Sequence, residues 1–139
     1  DRIVRNRETV EDGSVSLANP VSEIEVGLPY THHIEPLPPF IQGATGVSQG
    51  TAFRLVRATF RLLETAALTV DTGQGLRPLS FDTFDRTRLD EQIRLVTGDK
   101  TVRAIGWRRG DPKALWRIEQ SEPLPCTLLS VLTEISSNG

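Results

Sequence analysis

The chain has 139 residues, the length of one domain able to bury a useful core. Hydrophobic residues make up 37% and aromatics only 6%, so that core must come mostly from Leu, Val and Ile. A net charge of −2 excludes the strongly basic footprint of an electrostatic nucleic-acid binder, a single cysteine excludes an internal disulfide framework, and no apolar run reaches the roughly 18 residues of a membrane helix.

Lysine occurs only at Lys100 and Lys113, so nearly every positive charge is arginine. Arginine suits interfaces because its planar fork pairs bidentately and stacks. A GC-rich genome gives the same bias. There is no Met, the first residue is Asp1, and no signal peptide is visible. We therefore expect a single β domain over 1–139, cut from a longer chain, with 1–20 as a linker or edge hairpin.

Asp12-Gly13 sits between Thr9-Val10 and Val15-Ser16-Leu17 and predicts a hairpin turn. From Ser22 to Leu28, Ile24, Val26 and Leu28 alternate with Glu23, Glu25 and Gly27, which predicts a half-buried strand. Pro29, Pro36, Pro38 and Pro39 then forbid a helix, and Ile34 and Leu37 are expected to pack from an extended edge. Residues 42–51, with three glycines, predict a loop.

The segment from Ala52 to Val70 fits either a helix or a strand. Arg54, Val56, Ala58, Phe60 and Leu62 alternate with Leu55, Arg57, Thr59, Arg61 and Leu63. Flanking glycines favour a long strand to Glu64, a turn at Thr65–Ala67 and a short strand at Leu68–Val70. Leu79, Phe81 and Phe84 are expected to re-enter the core. Ile93, Leu95 and Val96 predict a strand, Thr97 to Lys100 a turn, and Val102–Trp107 its hairpin partner. Short strands are expected at Leu115–Glu119 and Cys126–Ile135, separated by Pro123 and Pro125. Seven to nine short strands with regular turns point to an all-β antiparallel sandwich or partly open barrel with long Pro/Gly-rich loops.

Few residues stand in a pattern that carries chemistry. His32 and His33 are adjacent, and on an extended chain they point to opposite faces, so they cannot easily share a metal. Asp82, Asp85, Asp90 and Glu91 cluster, but interleaved Arg86 and Arg88 point to a solvated loop with local ion pairs rather than a carboxylate pair for glycosidic chemistry. Gly43-Ala44-Thr45-Gly46 lacks the Lys-Ser/Thr of a phosphate loop. Cys126 lies in an apolar run and reads as a structural thiol. No catalytic residue, metal or cofactor is expected. The candidate interface residues are Arg57 and Arg61, which share one strand face with Arg54 on the other, and Trp107 and Trp116. Each has a bland counterpart: a polar sheet face whose stems cover apolar surface, or a core anchor.

Several phrases in order carry a resemblance. They are Val26-Gly27-Leu28-Pro29-Tyr30 with Ile34-Glu35-Pro36-Leu37-Pro38, then Arg57-Ala58-Thr59-Phe60-Arg61-Leu62-Leu63-Glu64-Thr65, Gly106-Trp107, Trp116-Arg117-Ile118, and Pro123-Leu124-Pro125 leading into Thr127-Leu128-Leu129-Ser130-Val131 and Glu134-Ile135. Together they resemble the C-terminal part of tail nozzle proteins (tail tubular protein B) of short-tailed bacteriophages, over about residues 20–136. The motifs concern packing and turns, not catalysis. The resemblance implies a non-enzymatic virion protein, assembled in the host cytoplasm into a hexameric ring. Its neighbours would be an adaptor and fibres, and the genome would pass through without specific DNA binding. The alternative expectation is a carbohydrate- or receptor-binding β-sandwich, which needs Tyr30, Trp107 and Trp116 exposed. A cell-wall hydrolase using Asp82, Asp85 or Glu91 stands third.

Overall fold

A computed structural model describes residues 8–28, 30–39, 42–43, 46–47, 52–79, 81, 95–104 and 114–138. Among them there is no helix and there are nine strands: β1 His32–Ile34, β2 Gln42–Gly43, β3 Gly46–Val47, β4 Ala52–Thr65, β5 Thr69–Asp71, β6 Arg77–Pro78, β7 Val96–Arg103, β8 Arg117–Gln120 and β9 Thr127–Asn138. The fold is all-β and every pairing is antiparallel. One sheet has the order β1-β8-β5-β6, a second the order β7-β4-β9, and β2-β3 is a separate two-stranded sheet. The arrangement is a sandwich, not a closed barrel.

β4 is a strand rather than a helix because its alternation feeds two environments. Ala58, Phe60 and Leu62 are fully buried, while Arg57 and Arg61 face solvent. Its inner face packs on Leu68, Val70, Leu115, Trp116 and Ile118 of the opposite sheet and its approaches. Phe53, Leu79, Phe81, Val102, Cys126, Leu128, Val131 and Ile135 close the margins. Each fully buried side chain of this size contributes about 1.5–3 kcal/mol, so the short strands of the β1-β8-β5-β6 sheet are held mainly by this shared layer.

The crossing from one sheet to the other is fixed by polar contacts. Glu64 takes a left-handed φ of 44°, which ends the regular ladder and turns the chain. Thr65, fully buried, accepts from the backbone N–H of Thr127 at 3.1 Å. Its hydroxyl donates to the carbonyl of Leu63 at 3.1 Å or of Thr127 at 3.2 Å. The Ala66 N–H donates to the carbonyl of Pro125 at 2.9 Å. Buried Gln120 donates through Nε2 to the Ala67 carbonyl at 2.8 Å, so this amide is satisfied as burial requires. After β5, Asp71 Oδ1 accepts from the N–H groups of Gly73 (2.6 Å) and Gly75 (3.1 Å), and both glycines have positive φ.

Several expectations are corrected. Residues 22–28 form no strand: they are unpaired among the described residues and exposed. Leu37 is exposed rather than packed. Thr97 to Lys100 is not a turn but the middle of β7. There Gly98, with a φ of 139°, lies opposite Leu62, and Asp99 lies opposite Arg61. The Gly-Asp pair has hairpin chemistry, but the cross-strand partner on β4 holds it extended. Residues 42–43 and 46–47, inside the expected loop, pair as the antiparallel strands β2 and β3. Phe84, Ile93 and residues 105–107 of the expected hairpin lie outside the described residues. The Asp12-Gly13 turn is present as one bridge, Glu11 with Ser14, and both turn residues have positive φ.

Candidate functional site

The outer face of the β7-β4-β9 sheet carries the first two candidate residues. Arg57 and Arg61, four residues apart on β4, project to the same side. Register then decides their partners. Arg61 lies opposite Asp99 of β7 and donates through Nε and Nη2 to its two carboxylate oxygens at 2.8 and 2.9 Å. Arg57 lies opposite Glu134 of β9, with Nε 2.5 Å from the carboxylate. Between them Thr59 and Thr101 share a hydroxyl hydrogen bond at 2.8 Å. A row of polar pairs therefore laces three strands. The bidentate bond from Arg61, together with its positive charge, holds the Asp99 carboxyl below the usual carboxylate range.

The expected split of the arginines between faces is corrected at Arg54. The register slips by one residue between Leu55 and Arg57, so Leu55 and Ala58 both face inward. The bulge thereby returns Arg54 to the outer side with Arg57 and Arg61. Apolar side chains also sit on this face: Leu132, opposite Thr59, is 75% exposed, and Leu129, the extra residue of a second bulge, is 55% exposed. Sequence reading missed both leucines. Their exposure follows from register and a bulge, and neither leaves a local signal.

Trp116 belongs to the core. It is 8% exposed and meets Phe60 edge to face. That matches the core-anchor reading and leaves little surface for a partner. Trp107 lies outside the described residues, as do Asp82, Asp85, Asp90 and Glu91. Tyr30 is exposed and stands tilted against His32, their ring centroids 6.1 Å apart. His32 and His33 pair with Gln120 and Glu119 along β1. Among the described residues no three His, Cys, Asp or Glu side chains gather as a metal site would require, and no helix is long and apolar enough to cross a membrane. Cys126 is half-buried, and burial pushes its thiol pKa up, away from nucleophile character.

No family model matches the chain, and no curated protein matches it.

Proposed function

We propose that this chain is a structural β-sandwich domain of a short-tailed phage tail, part of the nozzle or hub ring through which the genome leaves. It carries no reaction of its own in this reading. The phage assignment rests on the ordered packing motifs from Val26 to Ile135. The observation that carries the assembly role is the outer face of β7-β4-β9. Arginine forks fixed by carboxylates stand beside exposed Leu129 and Leu132 on a rigid platform. Arginine with exposed large apolar groups is the composition of a subunit contact. Because Arg57 and Arg61 are committed to Glu134 and Asp99, DNA passing this face would meet arginines that are already paired and not be gripped.

Negative-stain imaging of the full-length protein tests the reading. Closed rings with a central lumen are expected, and dispersed monomers at high concentration overturn it. The carbohydrate-binding alternative loses one of its three stacking residues, because Trp116 is buried.

A further inference from the structure

Two unsatisfied features of the molecule match each other. The first is the segment 21–28. Its alternation of Ile24, Val26 and Leu28 with Glu23, Glu25 and Gly27 is that of a strand with one buried face. Yet it has no strand partner among the described residues, and those three apolar side chains are 54%, 71% and 91% exposed. Scattered exposed apolar residues are ordinary, but three in strand period on one segment form a face without a core.

The second feature is the free edge of β9. This strand pairs only with β4 among the described residues, and its other edge has no backbone partner among them. Proteins blunt such edges with charge, proline or shortness. The other edges of the two larger sheets are blunted in this way. β7 carries Asp99, Lys100 and Arg103, β6 is Arg77-Pro78, and β1 has three residues. β9 has 12 residues, no Pro or Gly, and one charge, Glu134, already paired to Arg57.

We propose that residues 21–28 of one copy add as a strand to the β9 edge of a second copy. Main-chain hydrogen bonds would extend the β7-β4-β9 sheet, as in β-strand addition generally. The side chains suit both faces of that sheet. On the inner side Val131 and Ile135 are half-buried, but Thr133 between them is exposed although its β4 partner Ala58 is fully buried. The inner side of β9 is thus open where Ile24, Val26 and Leu28 would lie. Glu23 and Glu25 would then fall on the outer side, where Arg57, Arg61 and Arg103 face only Asp99 and Glu134 on the paired positions. Among these side chains the arginines outnumber the carboxylates by one, so the face keeps one positive charge for an acidic arm, with Glu134 of β9 nearest to it. In its own chain this segment leads into β1, at an edge of the other sheet, and does not lie along β9. The acceptor is therefore a second copy, each copy donating one arm and accepting one. Such a head-to-tail contact closes into a ring or runs on as a filament. The inference stands apart from the phage reading and does not depend on it.

Two variants separate donor from acceptor. Ile24→Asp with Val26→Asp disables the arm and leaves the edge, while Thr133→Lys charges the edge and leaves the arm. Near-ultraviolet circular dichroism of the Trp116 environment checks that both fold. By native mass spectrometry each variant alone is expected to be monomeric, and an equimolar mixture is expected to give a 1:1 heterodimer. A labelled peptide of residues 20–31 is expected to bind the arm variant by anisotropy, and Thr133→Lys in that variant is expected to weaken binding at least tenfold. A mixture that stays monomeric, or a peptide that does not bind, overturns the proposal. An arm variant that still self-associates while Thr133→Lys does not also overturns it, in favour of β9 pairing with its own copy. Ring formation by the full-length protein through other contacts would survive any of these failures, so the two proposals fail separately.

Discussion

Phe60 of β4 and Trp116, just before β8, meet edge to face across the two sheets, with ring centroids 5.6 Å apart and planes at 87°. This pair joins the layers at their centre, because Phe60 is fully buried and Trp116 nearly so. Phe60→Ala is expected to cost about 3–5 kcal/mol from lost burial and the cavity left behind. Phe60→Leu keeps most of the burial and loses the aromatic geometry, at about 1 kcal/mol. Urea unfolding followed by circular dichroism measures both. Equal effects would show that the volume Leu restores adds nothing, and would contradict burial as the main term.

Thr65 makes a different kind of contact between distant segments. Its hydroxyl is the partner of the Thr127 N–H at the start of β9. Thr65→Val preserves the shape and leaves that donor without its acceptor, at about 1–3 kcal/mol. Thr65→Ser retains the hydroxyl and should recover most of the loss. If the Ser variant is no more stable than the Val variant in the same unfolding measurement, the hydrogen bond is not what holds this corner.

The neighbouring Glu64 has a backbone conformation that disfavours side chains, with φ at 44°. Glu64→Gly is expected to be neutral or to stabilise by up to about 1 kcal/mol. Glu64→Val is expected to destabilise, because β-branched residues tolerate positive φ least. Thermal melts of the two variants should move in opposite directions. Loss of stability in both would mean that the Glu64 side chain itself matters.

The Arg61–Asp99 pair gives a pH prediction. The folded-state pKa of Asp99 is depressed, chiefly by the hydrogen bonds from Arg61. A depressed acid stabilises the fold above its unfolded pKa, and that contribution is lost as pH falls through the folded value. The loss should therefore occur only in acid, below the ordinary aspartate range, and should be small because the pair is solvent-exposed. Carboxyl chemical shifts during an NMR titration report it directly. Arg61→Ala should return the Asp99 midpoint upward, and an unchanged midpoint would contradict the pairing.

Much of the fold can be read from the residues alone. The alternation from Arg57 to Leu62, with the flanking glycines, favoured a strand over a helix for β4 and placed Arg57 and Arg61 together. Their partners could not be read, because Asp99 and Glu134 come from distant strands and only register brings them opposite. Arg54 was assigned to the wrong face because a bulge near Val56 resets the alternation, and no residue type there announces it. Thr97 to Lys100 misled because Gly-Asp favours a turn, and only the cross-strand partners on β4 hold it in a strand. Residues 22–28 misled for the opposite reason. Their pattern is that of a strand, and the single chain supplies no neighbour for it among the described residues.

The central claim is that this domain is built for contact with its own copies. Sedimentation velocity of the 139-residue chain across a wide concentration range tests that claim most directly. The account predicts species heavier than the 15.4 kDa monomer that grow with concentration. A single monomeric boundary up to millimolar concentration would contradict it.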